Sequence, residues 1–194
     1  MRFVLCITGA SGVIYGYRTL EVLSAEHEVH LIVSGSGRTV LKEEMGLTLK
    51  DLEERFPKAV LHDPADMTSP LASGSRLRAF RAVLVVPCST STLGNIASGT
   101  NQNLIHRVCE VALKERVPLI LLIREMPYSR IHLENMLKVT EAGAVVMPAS
   151  PGFYHRPRTL EDLVDFVVGK VLDQAGVSHN LFRRWGSKIF AWKT

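Results

Sequence analysis

Val117-Pro118-Leu119-Ile120-Leu121-Leu122-Ile123-Arg124-Glu125 is an apolar run that ends on a fixed cation and a carboxylate. Unbroken apolarity of this kind is the pattern of a strand buried on both faces, as in parallel sheets covered by helices. Two other runs end in polar loops. Phe3–Thr8 leads into Gly9-Ala10-Ser11-Gly12, and Ala82–Val86 leads into Pro87-Cys88-Ser89-Thr90-Ser91-Thr92. Ligands of open parallel sheets bind in the crevice beyond the carboxyl ends of the strands. Three equipped strand ends therefore predict one site, for an anionic ligand, with a proton able to move at Arg124-Glu125.

Working outward, strand and helix patterns alternate along the chain. A helix is expected over Gly12–Ala25, with Val13, Tyr17, Leu20 and Leu23 on one face. A second strand is expected over Glu28–Ser34, a short helix over Gly37–Met45, a charged segment able to form a helix over Thr48–Arg55, and a weak strand over Ala59–His62. Residues 63–81 read as a long polar connection, and connections of that length are often functional. Further helices are expected over Thr92–Ala97, Asn103–Arg116, Ser129–Ala142 and Thr159–Gln174, the last opening on a capping-box-like Thr159-Leu160-Glu161-Asp162. Strands are expected over Leu119–Ile123 and Val145–Met147, the latter stopped by Pro148. The expected fold is α/β: a doubly wound, mainly parallel sheet with helices on both faces. Residues 1–176 are read as one domain and residues 177–194 as a tail.

With 194 residues the chain is long enough for a real core. The net charge of +4 is carried by the tail, where Arg183, Arg184, Lys188 and Lys193 face no acid; the remaining residues balance. A nucleic-acid protein shows its basic face on the folded body, so no nucleic acid is expected. The tail's Phe182, Trp185, Phe190 and Trp192 suggest packing on a neighbouring subunit or over a site, with terminal disorder as the alternative beyond residue 187. No apolar run approaches the roughly 20 residues of a membrane helix, and the N-terminus lacks signal-peptide character, so a cytoplasmic location and no membrane partner are expected. Cys6, Cys88 and Cys109 are scattered and read as inert packing, and the seven histidines show no metal-ligand spacing. No metal is expected.

The Gly9-Ala10-Ser11-Gly12 loop joins a strand to a helix, where unpaired amides and the helix dipole favour phosphate. A turn that binds nothing is the alternative. The glycine spacing resembles that of short-chain dehydrogenases, but the second strand ends in Val33-Ser34-Gly35 without a ribose-binding acid, and no Tyr-x-x-x-Lys follows. Ser89-Thr90-Ser91-Thr92 offers four hydroxyls where N-capping needs one. Gly152-Phe153-Tyr154-His155-Arg156-Pro157 is a stiffened aromatic segment, able to meet a phosphate or to plug the space beneath the last helix.

Taken in order, these segments resemble the flavin prenyltransferases of the UbiX type. The resemblance extends through Ser69-Pro70 with Ala72-Ser73-Gly74-Ser75, Val111–Arg116, His132–Leu137 and Arg184-Trp185-Gly186. Members were long labelled aromatic-acid decarboxylases. The resemblance implies a flavodoxin-like fold and a large homo-oligomer, commonly a dodecamer, with sites between subunits. It implies FMN, in its reduced form, as prenyl acceptor and dimethylallyl monophosphate as donor. The dimethylallyl group is joined to flavin N5 and C6, phosphate leaves, and the prenylated FMN serves a UbiD-type decarboxylase in ubiquinone synthesis or aromatic-acid breakdown. By matching positions, Gly9, Ala10, Ser11, Ser34, Ser89, Thr90, Ser91, Thr92 and Arg124 are expected to hold FMN. Tyr154, Lys170, Lys114 and Arg124 are expected at the prenyl phosphate, and Ser11, Glu125, Lys114 and Trp185 in catalysis. Two departures stand out: residues 46–66 form a shorter stretch than in some relatives, and Lys170 stands where some have Arg, giving a point charge in place of a planar fork. Two rivals share the flavin, a phosphopantothenoylcysteine-type decarboxylase and a non-enzymatic flavin carrier. The first lacks its early His signature here, and the second would consume no prenyl phosphate.

Overall fold

The computed structural model describes residues 1–186. The expectations for Lys188, Phe190, Trp192 and Lys193 lie outside the described residues. In chain order the elements are β1 (Arg2–Ile7), α1 (Val13–Glu26), β2 (Glu28–Val33), α2 (Gly35–Met45), α3 (Leu49–Arg55), β3 (Val60–His62), α4 (Gly74–Leu77) and β4 (Ala82–Cys88). There follow α5 (Thr90–Ser98), α6 (Leu104–Glu115), β5 (Leu119–Ile123), α7 (Arg130–Glu141), β6 (Val145–Pro148) and α8 (Leu160–Ala175).

The strands form one sheet in the order β3-β2-β1-β4-β5-β6, and every pairing is parallel. Period-2 alternation sorts each strand's side chains onto two faces. Phe3, Leu5 and Ile7 join Leu84, Val86, Ile120 and Leu122 in a core covered by α1 and α8. Val4 and Cys6 join Val83, Val85, Leu119, Leu121 and Ile123 in a second core beneath α5 and α6. Both faces are covered, which is why these strands read as unbroken apolar runs. Without the three-residue edge strand β3, the other five strands follow the order 2-1-3-4-5, that of flavodoxin-like sheets; with it the order is 3-2-1-4-5-6, that of dinucleotide-binding sheets. In both, the order in which strands are added reverses between β1 and β4.

Helix starts follow local chemistry. Ser34, Thr48, Ser89, Asn103, Ser129 and Thr159 each accept a backbone N–H at the head of the helix they precede. The capping box at Thr159 and Asp162 forms as expected. Three expectations need correcting. The helix after β4 begins at Thr90, so Thr90, Ser91 and Thr92 occupy its first turn and only Ser89 precedes it. The connection 63–81 contains a 3-10 turn at Pro70–Ala72 and the short α4, built on Ser-Pro and Ser-Gly starts. Pro148 pairs with Ile123 as the last residue of β6; an edge strand tolerates a residue without an N–H.

Candidate active site

The carboxyl ends of β1, β2, β4 and β5 converge on a cleft of about 380 Å³, within the range of small-molecule pockets. Gly9 and Ala10 line it from β1, Ser36 from β2, Ser89, Thr90 and Ser91 from β4, and Arg124 and Glu125 from β5. It lies at the topological switch point between β1 and β4, the ligand-binding position of doubly wound sheets.

Thr8 fastens the two central loops. Its buried hydroxyl donates to Pro87 O at 2.8 Å and accepts from Ser89 N at 2.8 Å. This fixes the loop after β4 against the loop after β1. Thr8→Val keeps the shape and leaves the Ser89 amide without its partner, so a loss of about 1–3 kcal/mol is expected in urea unfolding, together with weaker flavin binding. Gly9 has the close approach that its position demands, because a Cβ there would stand 2.3 Å from Ser36 Oγ. The first turn of α2 can therefore lie against the β1 loop and bring Ser36 into the cleft.

Arg124 and Glu125 are adjacent in sequence but diverge. Arg124 Nε donates to Ser11 O at 3.1 Å, across the mouth of the cleft to the β1 loop. The Glu125 carboxylate accepts from Met126 N at 3.1 Å and from Thr90 Oγ1 at 3.4 Å, on the side of α5. A cation thus stands on one side and a carboxylate on the other, with the floor made of hydroxyls and amides. That donor set suits a flavin, whose phosphate and ring edge need donors and whose ring needs a flat space between loops.

The expected flavin residues are not all equivalent. Gly9, Ala10, Ser89, Thr90, Ser91, Arg124 and Glu125 line the cleft. Ser11 contributes its carbonyl to Arg124. Ser34 Oγ is taken up in capping α2, where it accepts from Gly37 N at 3.0 Å. Thr92 is buried, and its hydroxyl accepts from Ser89 Oγ at 3.1 Å. Neither Ser34 nor Thr92 lines the cleft.

Glu44, on α2, is the residue that sequence reasoning missed. Its carboxylate accepts from Gly12 N at 2.9 Å and Val13 N at 3.1 Å. Gly12 has a φ of 92°, which glycine adopts freely, and its missing side chain leaves α1 without a side-chain cap. The expectation that these amides await a phosphate is corrected: an acid 32 residues away already meets them. Ser36 was missed as well, although it stands two residues from the expected Ser34.

Tyr154, Lys170 and Trp185 do not line the cleft; they form a second cluster around α8. The Tyr154 and Trp185 rings meet edge to face at 5.5 Å, and Tyr154 also packs on Phe166. Lys170 Nζ lies 3.8 Å from Asp173, which also holds Arg184 at 2.6 Å and His179 at 3.1 Å. Burial works to raise the Asp173 carboxyl, but the bonds from Arg184 and His179 overcome it and hold the group below its ordinary range. The described part of the tail therefore lies on its own chain, with Val177 and Phe182 in the core beneath α8.

Lys114 stands apart from the cleft of its own chain. It sits at the end of α6, paired with Glu115 at 2.7 Å and close to Gly74 of α4. The chain then crosses the whole of β5 before it reaches Arg124, roughly 17 Å at strand rise. Within one chain Lys114 is therefore near the amino-terminal end of β5, opposite the end that carries the cleft. The cysteines are packing residues, as expected: all three are buried, and burial pushes their thiols up, to about 12 for Cys109.

A doubly wound parallel sheet with a hydroxyl- and amide-lined cleft at its switch point defines a mononucleotide-binding α/β protein. The chain belongs to the family described as Flavoprotein, whose model matches residues 1–172, and within it to the flavin prenyltransferases of the UbiX type. It is 57% identical to the flavin prenyltransferase UbiX of Aquifex aeolicus, over 95% of this chain and 98% of that one. The crystal structure of AnUbiX in complex with FMN and dimethylallyl pyrophosphate matches with a TM-score of 0.89 at 38% identity, covering 96% of this chain and 97% of that one. A dodecameric FMN-dependent UbiX-like decarboxylase from Escherichia coli O157:H7 matches with a TM-score of 0.90 at 37% identity, covering 96% and 100%. Among the described residues no helix is long and apolar enough to cross a membrane.

Proposed function

We propose that this chain is a flavin prenyltransferase that joins the dimethylallyl group of dimethylallyl monophosphate to N5 and C6 of reduced FMN and releases phosphate. The observation that carries the reading is the switch-point cleft, with Arg124 on one wall and Glu125 on the other. Bound reduced FMN supplies the electron-rich atoms that accept the prenyl carbon skeleton. The chain's own residues do the rest. Gly9, Ala10 and the Ser89–Ser91 turn present backbone and hydroxyl donors. Arg124 places a positive charge where the leaving phosphate's charge grows, the kind of preorganised stabilisation that lowers a barrier most. Glu125 holds or accepts a proton at the cleft wall. Tyr154, Trp185 and Lys170 stand outside this chain's own cleft; presented to a neighbouring copy's cleft in a homo-oligomer, the two rings supply an aromatic surface suited to a cation-like allylic carbon, and Lys170 a charge for the prenyl phosphate.

Met126, Ile131, Leu133 and Leu137 are exposed on and just before α7. Apolar exposure on this scale marks an interaction surface and supports assembly as a homo-oligomer, a dodecamer by similarity to the Escherichia coli relative. In such an assembly Lys114 would serve a neighbouring copy's site, since the cleft of its own chain lies at the other end of β5. We further infer a cytoplasmic enzyme, one domain through residue 176, and a UbiD-type decarboxylase as recipient of the product.

The test is anaerobic. The protein is incubated with reduced FMN and dimethylallyl monophosphate, and the extracted flavin is weighed by mass spectrometry. A gain of one dimethylallyl unit with phosphate released is expected. Unmodified FMN despite tight binding would replace this reading with a decarboxylase or a carrier.

A further inference from the structure

At the outer edge of the sheet four side chains form one hydrogen-bonded line. His30 Nε2 meets Glu28 Oε1 at 3.0 Å, His30 Nδ1 meets His62 Nε2 at 2.8 Å, and His62 Nδ1 meets Ser69 Oγ at 3.2 Å. The two imidazoles also stack, 5.0 Å apart. The line joins β2 to β3 and then to the connection beyond it. Since β3 is three residues long and is paired only through His30–Val60, Leu31–Leu61 and Ile32–His62, this side-chain line is a large share of its anchorage.

We propose that the His30–His62 pair is a proton-operated latch, which fastens β3 and the connection 63–69 to the sheet and releases them below neutral pH. With both rings neutral, one arrangement satisfies every atom. Ser69 donates to His62 Nδ1, His62 Nε2–H donates to His30 Nδ1, and His30 Nε2–H donates to the Glu28 carboxylate. One added proton sits on His62 Nδ1, whose bond with Ser69 Oγ then reverses, and the central bond between the rings is kept. A second places an N–H on both facing nitrogens, so the 2.8 Å contact has no acceptor and two like charges are stacked.

The charged groups facing the pair are Glu28 of β2, Arg2 of β1, which holds Glu28 at 2.9 Å, and Asp66 in the connection. The Phe80 ring closes the side, edge-on to His30 at 4.9 Å. Burial and the His30 charge hold His62 below its ordinary 6.5, with Asp66 working in the opposite sense. A histidine lowered on folding stabilises the closed form above its unfolded value, and that contribution is lost as pH falls below 6.5. The bonds Leu104 N to Pro64 O and Arg107 Nε to Ala72 O tie the same connection to α6. The first opens with the latch, and the second lies beyond it and bounds the release.

Hydrogen exchange of the full chain tests this, from about pH 7.5 to about pH 5, with intrinsic rates divided out. Protection of peptides covering 59–69 is expected to fall by up to about tenfold per pH unit below 6.5, where the open form takes up a proton that the closed form resists. Peptides of β1, β4 and β5 are expected to keep their protection. His62→Phe keeps a ring against His30 but removes both nitrogens, and its 59–69 peptides should lose the pH dependence. Nitrogen-15 histidine spectra of the unaltered protein give the same answer without a variant: protonation of both His30 and His62 should track the loss of protection. Uniform protection across the range, or protonation of both rings with the 59–69 amides unmoved, would overturn the latch.

Discussion

Glu125→Gln is expected to leave flavin binding intact and to slow prenyl transfer by about 10²- to 10⁴-fold, the range that a positioned acid or base contributes. The substitution is conservative for the fold. A Gln carbonyl can still accept from Met126 N, as Oε1 does at 3.1 Å, and its amide can donate to Thr90 Oγ1, which now lies 3.4 Å from Oε2. What disappears is the carboxylate's affinity for a proton. Anaerobic single-turnover kinetics with reduced FMN already bound separates this step from binding. An unchanged single-turnover rate would remove Glu125 from the proton path. A slow rate accompanied by lost flavin affinity would make it a positioning residue.

Arg124→Met is expected to weaken FMN binding by about ten- to a hundredfold, since hydrogen bonds to a charged group contribute about 1.5–3 kcal/mol. Two effects combine in that loss. The cation leaves the cleft wall, and the tie from Arg124 Nε to Ser11 O, at 3.1 Å, is cut. Arg124→Lys distinguishes them, because it restores a charge without the planar fork. Partial recovery of affinity in Arg124→Lys, measured by equilibrium titration, would assign the charge the larger share. No recovery would assign it to the fork that holds the β1 loop. Affinity unchanged in Arg124→Met would exclude the residue from flavin binding.

The elements of the central sheet were legible because burial on both faces leaves an unambiguous trace, as in Leu119–Ile123 and Phe3–Ile7. Arg124, Glu125 and the small residues after β1 were found for the same reason: strand ends can be located once strands can. The boundary of α5 was misplaced because Thr and Ser are weak helix formers. Their hydroxyls suggested a loop, while Ser89 capped the helix one residue after β4. Glu44 was invisible, since nothing local to an exposed acid on α2 announces that it reaches back to the head of α1. Ser36 was not visible beside Ser34, because which of two nearby hydroxyls caps and which faces the cleft depends on helix phase. The position of Lys114 was legible in principle. A residue at the end of a helix that feeds a strand lies at that strand's beginning, whereas Arg124 follows its end.

The buried thiols give the experimenter a clock. Cys6 lies in β1, Cys88 ends β4 and Cys109 lies mid-way along α6; none is exposed, and all belong to one core beneath the sheet's α5–α6 face. A thiol reagent added to the native enzyme meets no thiolate at the surface. It labels the chain only when β1, β4 or α6 comes away, and reactivity then follows thiolate formation. Labelling of Cys109 alone would time the lifting of a helix, and labelling of all three together the opening of the sheet. The chain thus carries a built-in chronometer for its own unfolding, with no dye or tag to perturb the flavin.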